Sequence, residues 1–200
     1  MPTPDPNFPS APYPPGTHIT PPPRPPSPST SSFRLNHLML RIKNPTQSLK
    51  FYNDCLGLHT VFIFNAGPWT IYYLGPRDVS ITSLGSSQGL LELYHIPGDE
   101  GTEYVSGNEY DRGAGVGFGH VGFTVPDVAA ALSRVQSFGF QIIKPLGEAE
   151  VSTMGLPPRV GEAEVNEGYK HVFRQLAFVR DPDGYWVELV PQVVKAVGET

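Results

Sequence analysis

Two short strings in this chain end alike. Leu91-Glu92-Leu93 lies late in one half and Val187-Glu188-Leu189 late in the other, each a carboxylate between two large apolar residues. Each half also starts on a histidine at the head of an apolar run, His37 before Leu38-Met39-Leu40 and His120 before Val121-Gly122-Phe123. Strand side chains alternate between faces, so in both closing strings the Glu points opposite to its apolar neighbours. A carboxylate kept from water without a partner is costly, whereas two imidazoles and two carboxylates converging on a divalent cation satisfy one another. That nitrogen and oxygen donor set suits Zn, Ni, Co or Mn, and not copper(I) or iron–sulfur chemistry. Any one of these residues alone would read as an ordinary exposed strand residue; their equivalence in the two halves sets His37, Glu92, His120 and Glu188 apart.

The elements that must position them follow the same repeat. Arg34 to Ile42 reads as a strand, and Asn44-Pro45 then opens a helix running to about Leu56, with Asn44 as N-cap and Pro45 in the first turn. Leu49, Tyr52 and Leu56 give that helix an apolar face, and Gly57 stops it. Strands follow at His59 to Phe64, Trp69 to Leu74 and Leu90 to Ile96. In the second half, Gly119 to Val125 is a strand, Val128 to Ser137 a helix stopped by Gly139, and Phe140 to Ile143, Leu176 to Arg180 and Tyr185 to Val190 are strands. The turn Asp181-Pro182-Asp183-Gly184 aims the last strand. The run Gly147 to Tyr169 has no convincing period and reads as an inserted loop or lid. Repeats of this kind decide the reading of a fold: a β-α-β-β-β pattern occurs twice.

Of the 23 prolines, 13 fall in the first 28 residues, so residues 1–32 read as a disordered proline-rich arm in front of a domain over 33–194. Within that domain the modules are expected at about 33–97 and 117–192. Cys55 is the only cysteine, which excludes an intrachain disulfide and a Cys-based zinc finger and favours a reducing compartment. Its place on the apolar helix face reads as a buried structural thiol. Net charge is −5, and the 14 Lys and Arg form no basic run, so nucleic acid is not an expected partner and a small molecule fits better. No apolar run approaches the ~18 residues needed to span a bilayer, and the first residues lack a hydrophobic stretch for secretion. A cytoplasmic protein without membrane partners is the expectation.

The strings HLMLRIKNPTQSLKFYNDCLGL (37–58), GLLELYH (89–95), GFGHVGFTVPDV (117–128) and LAFVRDPDGYWVELV (176–190) resemble the glyoxalase I, or lactoylglutathione lyase, family of the vicinal-oxygen-chelate superfamily. The resemblance covers about Phe33 to Pro191. It implies an α+β fold of two βαβββ modules whose curved sheets cup a metal, in a dimer or a two-domain fusion, with sites at module interfaces; between homodimer and monomer the sequence does not choose. The family's four metal ligands fall on His37, Glu92, His120 and Glu188, one divalent ion per site, with zinc and nickel both credible and cobalt or manganese possible. Glutathione is implied as cosubstrate. The implied reaction isomerises the hemithioacetal of methylglyoxal and glutathione to S-lactoylglutathione, with Glu188 as catalytic base.

The resemblance places glutathione contacts on Arg41, Asn108 and Arg112. Arg41 lies four residues beyond His37 on the same strand face, where a guanidinium can take a carboxylate bidentately. The chain departs from the family after the first Glu strand, where His95 to Glu100 lacks the expected Asn, and lysines before the penultimate strand are matched only by Lys144 or Lys170. Two other readings compete. His37, His120 and Glu188 alone would make a two-His-one-carboxylate iron site for a dioxygenase or tailoring enzyme, against which Glu92 argues as a fourth ligand. A metal-free binding module would have no need to gather two carboxylates.

Overall fold

The computed structural model describes residues 13–20, 22–23, 25–108, 117–157, 160 and 164–195. The described part of the arm holds turns, such as those closed by Thr17 N–H to the Pro14 carbonyl and Thr30 N–H to the Ser27 carbonyl. Strand β1 (His37–Ile42) is followed by helix α1 (Pro45–Leu49), which widens without a break into π-helical turns over Lys50–Cys55. Asn44 caps α1, its side chain accepting from Gln47 N–H at 3.1 Å, with Pro45 in the first turn. Strands β2 (His59–Asn65), β3 (Thr70–Gly75) and β4 (Leu90–His95) complete the first module.

The second module repeats the plan. It runs β5 (His120–Val125), α2 (Val128–Ser137), β6 (Gln141–Lys144), β7 (Ala177–Arg180) and β8 (Trp186–Pro191). Between β6 and β7 the stretch Gly147 to Tyr169, which has no period in the sequence, contains a short 3-10 turn (Val151–Thr153) and the start of helix α3 (Glu167–Phe173). The sheets are ordered β1-β4-β3-β2 and β5-β8-β7-β6, so each histidine-bearing strand is an edge strand lying parallel beside the strand that carries the Glu.

One core serves both modules. Leu40, Ile42, Leu91 and Leu93 from the first sheet meet Ala177, Val179, Val187 and Leu189 from the second, with Phe51, Tyr52 and Cys55 and with Val128, Leu132 and Val135 of α2 between them. Burying Leu91 and Leu93 is worth about 1.5–3 kcal/mol each, and a one-residue slip of β4 would exchange them for Glu92. That difference fixes the register of the metal-type carboxylate.

Polar links tie the modules together. Arg134 of α2 donates to the carbonyls of Cys55 at 2.8 Å and Asp54 at 2.6 Å, the free end of the π-helical turns. The Asp181–Gly184 turn reaches the first module too. Tyr52 Oη donates to Asp181 Oδ2 at 2.8 Å, and Asp183 accepts from Ser48 Oγ at 3.0 Å and from Lys43 N–H at 2.7 Å. Asp181 Oδ1 accepts the backbone N–H groups of Asp183 and Tyr185, so the start of β8 is held to α1 through carboxylates.

Candidate metal centre

The two His–Glu sets have one geometry. In the first sheet Met39 pairs with Glu92, and in the second Gly122 pairs with Glu188, so each histidine stands two residues before the partner of its Glu and on the same face. His37 Nε2 lies 3.5 Å from Glu92 Oε2, and His120 Nε2 lies 3.3 Å from Glu188 Oε2. Two ligands each ~2.1 Å from a tetrahedral cation are about 3.4 Å apart, so both pairs are spaced as neighbouring donors of one ion. The side chains of Glu92 and Glu188 are only 16% and 18% exposed against 39% and 42% for the histidines. The carboxylates are thus drawn from water while the imidazoles stay open to an incoming group.

An aromatic wall backs each pair. Tyr73 pairs with Glu92 across β3 and β4 and meets the His37 ring edge-on at 5.4 Å. Phe178 pairs with Glu188 across β7 and β8 and meets the His120 ring edge-on at 5.2 Å. Sequence reasoning did not find these two residues. They lie nineteen residues before Glu92 and ten before Glu188, so the loops hide their equivalence.

The structure brings the four ligand-type residues together in pairs and not as four. Among the described residues no group of three or more His, Cys, Asp or Glu side chains is placed to hold one ion. The reason is the shared core. Leu91 and Leu93 face it from one side and Val187 and Leu189 from the other, so alternation turns both Glu faces away from it. His37 and His120 both line a cleft of about 570 Å³ between the starts of β1 and β5, whose other walls include Leu38, Phe118 and Phe123. Neither Glu92 nor Glu188 is among its lining residues.

The remaining candidates are dispersed. Arg41 is exposed on β1, on the His37 face. Asn108 is half-buried, and its amide donates to the Gly119 carbonyl immediately before His120. That contact depends on Gly107, whose positive φ of 88° and lack of a Cβ let the backbone run against Phe118; a Cβ there would come within 1.5 Å of the Phe118 oxygen. Arg112 lies outside the described residues. Lys170 pairs with Glu167 at 2.7 Å on α3. Lys144 is fully buried on the Glu188 side, since it pairs with Phe178, which in turn pairs with Glu188. Its ammonium donates to the Leu176 and Pro145 carbonyls and sits 4.7 Å from the Phe173 ring centre. Burial pushes the Lys144 ammonium down to about 8, against the pull of Glu148 and Glu188.

Residues 34–189 match the family described as Glyoxalase/Bleomycin resistance protein/Dioxygenase superfamily. A lactoylglutathione lyase of Pseudomonas aeruginosa is 34% identical over 174 residues, covering 80% of this chain and 84% of that protein. The chain belongs to the glyoxalase I family. A lactoylglutathione lyase of Pseudomonas putida is 32% identical over 82% of this chain and 87% of its own length. The lactoylglutathione lyase of Schizosaccharomyces pombe is 32% identical over 81% of this chain, which spans 48% of that longer protein. Among solved structures, the trypanothione-dependent glyoxalase I of Leishmania major shares the fold at a TM-score of 0.52 and 24% identity, over 80% of this chain and 88% of that one. Glyoxalase I from Zea mays does so at 0.54 and 23%, over 81% of this chain and 45% of that one. Glyoxalase I membership accounts for the doubled βαβββ plan and the α+β class. No helix among the described residues is long and apolar enough to cross a membrane.

Proposed function

We propose that this glyoxalase I family member isomerises the hemithioacetal of methylglyoxal and glutathione to S-lactoylglutathione at a metal centre built by two copies of the chain. The observation that carries this reading is the pair of His–Glu sets with one register and nearly one spacing on sheet faces turned from the common core. His37 and Glu92 of one protomer would meet His120 and Glu188 of its partner, giving two equal sites per dimer. The four side chains fit a divalent cation of the zinc or nickel kind in donor type and in spacing. When bound, such an ion supplies polarisation of the substrate oxygens and offsets the negative charge that develops on them.

The chain's own residues account for the rest. The reaction takes a proton from the carbon bearing sulfur and returns it to the adjacent carbon, while the hydroxyl proton moves to the neighbouring oxygen. Glu188, drawn from water and set against Phe178, is the base that carries the carbon-bound proton between the two positions. The aromatic walls keep bulk water from a carbanion-like carbon. Arg41 lies about 13 Å along β1 from His37, a reach suited to the far carboxylate of an extended tripeptide. Lys144 offers a second cation, this one buried, on the Glu188 side.

The test is an assay of the full chain with methylglyoxal and glutathione, following the thioester in the ultraviolet, after chelation and then with Zn, Ni, Co or Mn restored singly. Activity lost on chelation and regained with one of these ions is the expected outcome. A chain that binds metal and forms no thioester under any of them would instead favour another small-molecule chemistry on the same scaffold.

A further inference from the structure

Asn36, the residue before β1, has every hydrogen-bonding position of its side chain in use. Its Nδ2 donates to the Leu84 carbonyl at 2.9 Å and the Ser87 carbonyl at 2.8 Å, in and just after the short 3-10 turn Leu84–Ser86. Its Oδ1 accepts from Tyr73 Oη at 3.2 Å and stands 2.8 Å from His37 Nδ1. The amide orientation is forced, because turning it over would set Oδ1 against two carbonyl oxygens with no proton between them. An amide oxygen only accepts, so the neutral His37 ring must carry its proton on Nδ1. The lone pair is then on Nε2, the nitrogen that faces Glu92 Oε2. Free histidine in water favours the opposite tautomer, with the proton on Nε2.

We propose that Asn36 is a positioning residue that locks His37 in its Nδ1–H tautomer and aims the Nε2 lone pair at the cation site. This rests on the reading of His37 as a metal ligand. The Leu84–Ser87 carbonyls hold Asn36, Asn36 holds the ring, and Tyr73 fills the remaining lone pair of Oδ1 while packing edge-on against the same ring. Outer partners of this kind govern a metal-bound imidazole's orientation and basicity. At the equivalent position of the second module the residue before His120 is Gly119, which has no side chain. The two modules therefore differ at the residue that precedes the histidine.

The experiment uses the full chain, metal-free, with 15N-labelled histidine, at a pH well above the imidazole range. Two-bond 1H–15N correlations report the tautomer of His37, identified by the signals lost in His37→Gln. Zinc affinity is read separately, by competition with a chromophoric chelator. Wild type should show the Nδ1–H pattern, and Asn36→Leu and Asn36→Ala should lose it while binding zinc about 10- to 100-fold more weakly. A folded Asn36 variant that keeps the tautomer, or that loses it and binds zinc as wild type does, overturns the proposal. The wild-type spectrum needs no variant, so an Nε2–H pattern there overturns it even if both variants misfold. Wild type with the Nδ1–H pattern but no affinity for zinc or nickel would sink the metal reading and leave the tautomer lock standing.

Discussion

His120 Nε2 and Glu188 Oε2 stand 3.3 Å apart on β5 and β8, and the same arrangement, at 3.5 Å, joins His37 to Glu92 on β1 and β4. On the proposed reading each pair would supply half of a four-coordinate set, and the shared core turns the two Glu faces of one chain away from it. A site shared between copies has a consequence that a site within one chain does not. The double variant His37→Ala/Glu92→Ala and the double variant His120→Ala/Glu188→Ala should each be inactive alone. Mixed under conditions that exchange protomers, they should recover activity, because a heterodimer of the two carries one site with all four ligands intact and one with none. Size-exclusion chromatography with the activity assay checks this; no recovery in a demonstrated heterodimer contradicts shared sites.

The proposed role of Glu188 as base can be separated from its proposed role as ligand. Glu188→Gln keeps an oxygen donor and the side-chain shape but removes the group that takes the proton. Loss of about 10²- to 10⁴-fold in kcat is expected, the range for general-base contributions. The variant should keep the wild-type melting temperature to within a few degrees, since Glu188 lies outside the core. Turnover within tenfold of wild type would contradict the assignment.

Much of the fold is legible in the residues, because the strand periods and those of the first helix of each module are clean, and Gly57 and Gly139 stop those two helices. The boundaries differ by a few residues: β1 begins at His37 and not at Arg34, and β6 runs to Lys144. The π-helical turns over Lys50–Cys55 carry no sequence signature, since the buried Phe51, Tyr52 and Cys55 stand at spacings that an α-helix would bury as well. Helix α3 escapes a reading by period because it has only seven residues. Its signals are the N-cap Asn166, which accepts from Gly168 N–H, and the Tyr169–Phe173 pair one turn apart. The alternation Leu91-Glu92-Leu93 and Val187-Glu188-Leu189 is visible in the sequence. That both apolar faces enter one core is not, because it depends on how the two modules pack, and this decides that the four ligand-type residues pair within sheets.

The link between Tyr52 and Asp181 joins residues 129 apart in the chain and is buried at both ends. Tyr52→Phe removes a single oxygen and leaves the Asp181 carboxyl short of a donor. Destabilisation of about 1–3 kcal/mol is expected, the cost of an unsatisfied buried polar group. Urea unfolding followed by fluorescence measures it. An unchanged midpoint would show that water or another donor replaces the hydroxyl. Because the same turn leads into β8, the variant should also lower activity at temperatures where the fold is intact.

Burial raises the Asp181 carboxyl to about 7 from its ordinary 3.8; the Tyr52 hydroxyl opposes this and Asp183 adds to it. The unfolded chain loses this proton near pH 4, whereas the folded chain keeps it until about 7, so the native state holds more protons across that window. The contribution of Asp181 to stability is therefore full below pH 4, declines as pH rises toward 7 and is level above it. A shift of this size corresponds to about 4 kcal/mol over the window, with a slope of at most about 1.4 kcal/mol per pH unit. Asp181→Asn keeps an acceptor for the Asp183 and Tyr185 N–H groups and has nothing to titrate. Relative to wild type it should gain stability steadily between pH 4 and 7, and the difference should be constant at higher pH. Urea midpoints of the two proteins at intervals across that range measure the slope. A difference that does not change with pH, or that shrinks as pH rises, would mean that Asp181 is ionised in the fold and that its three hydrogen bonds, not burial, set its charge.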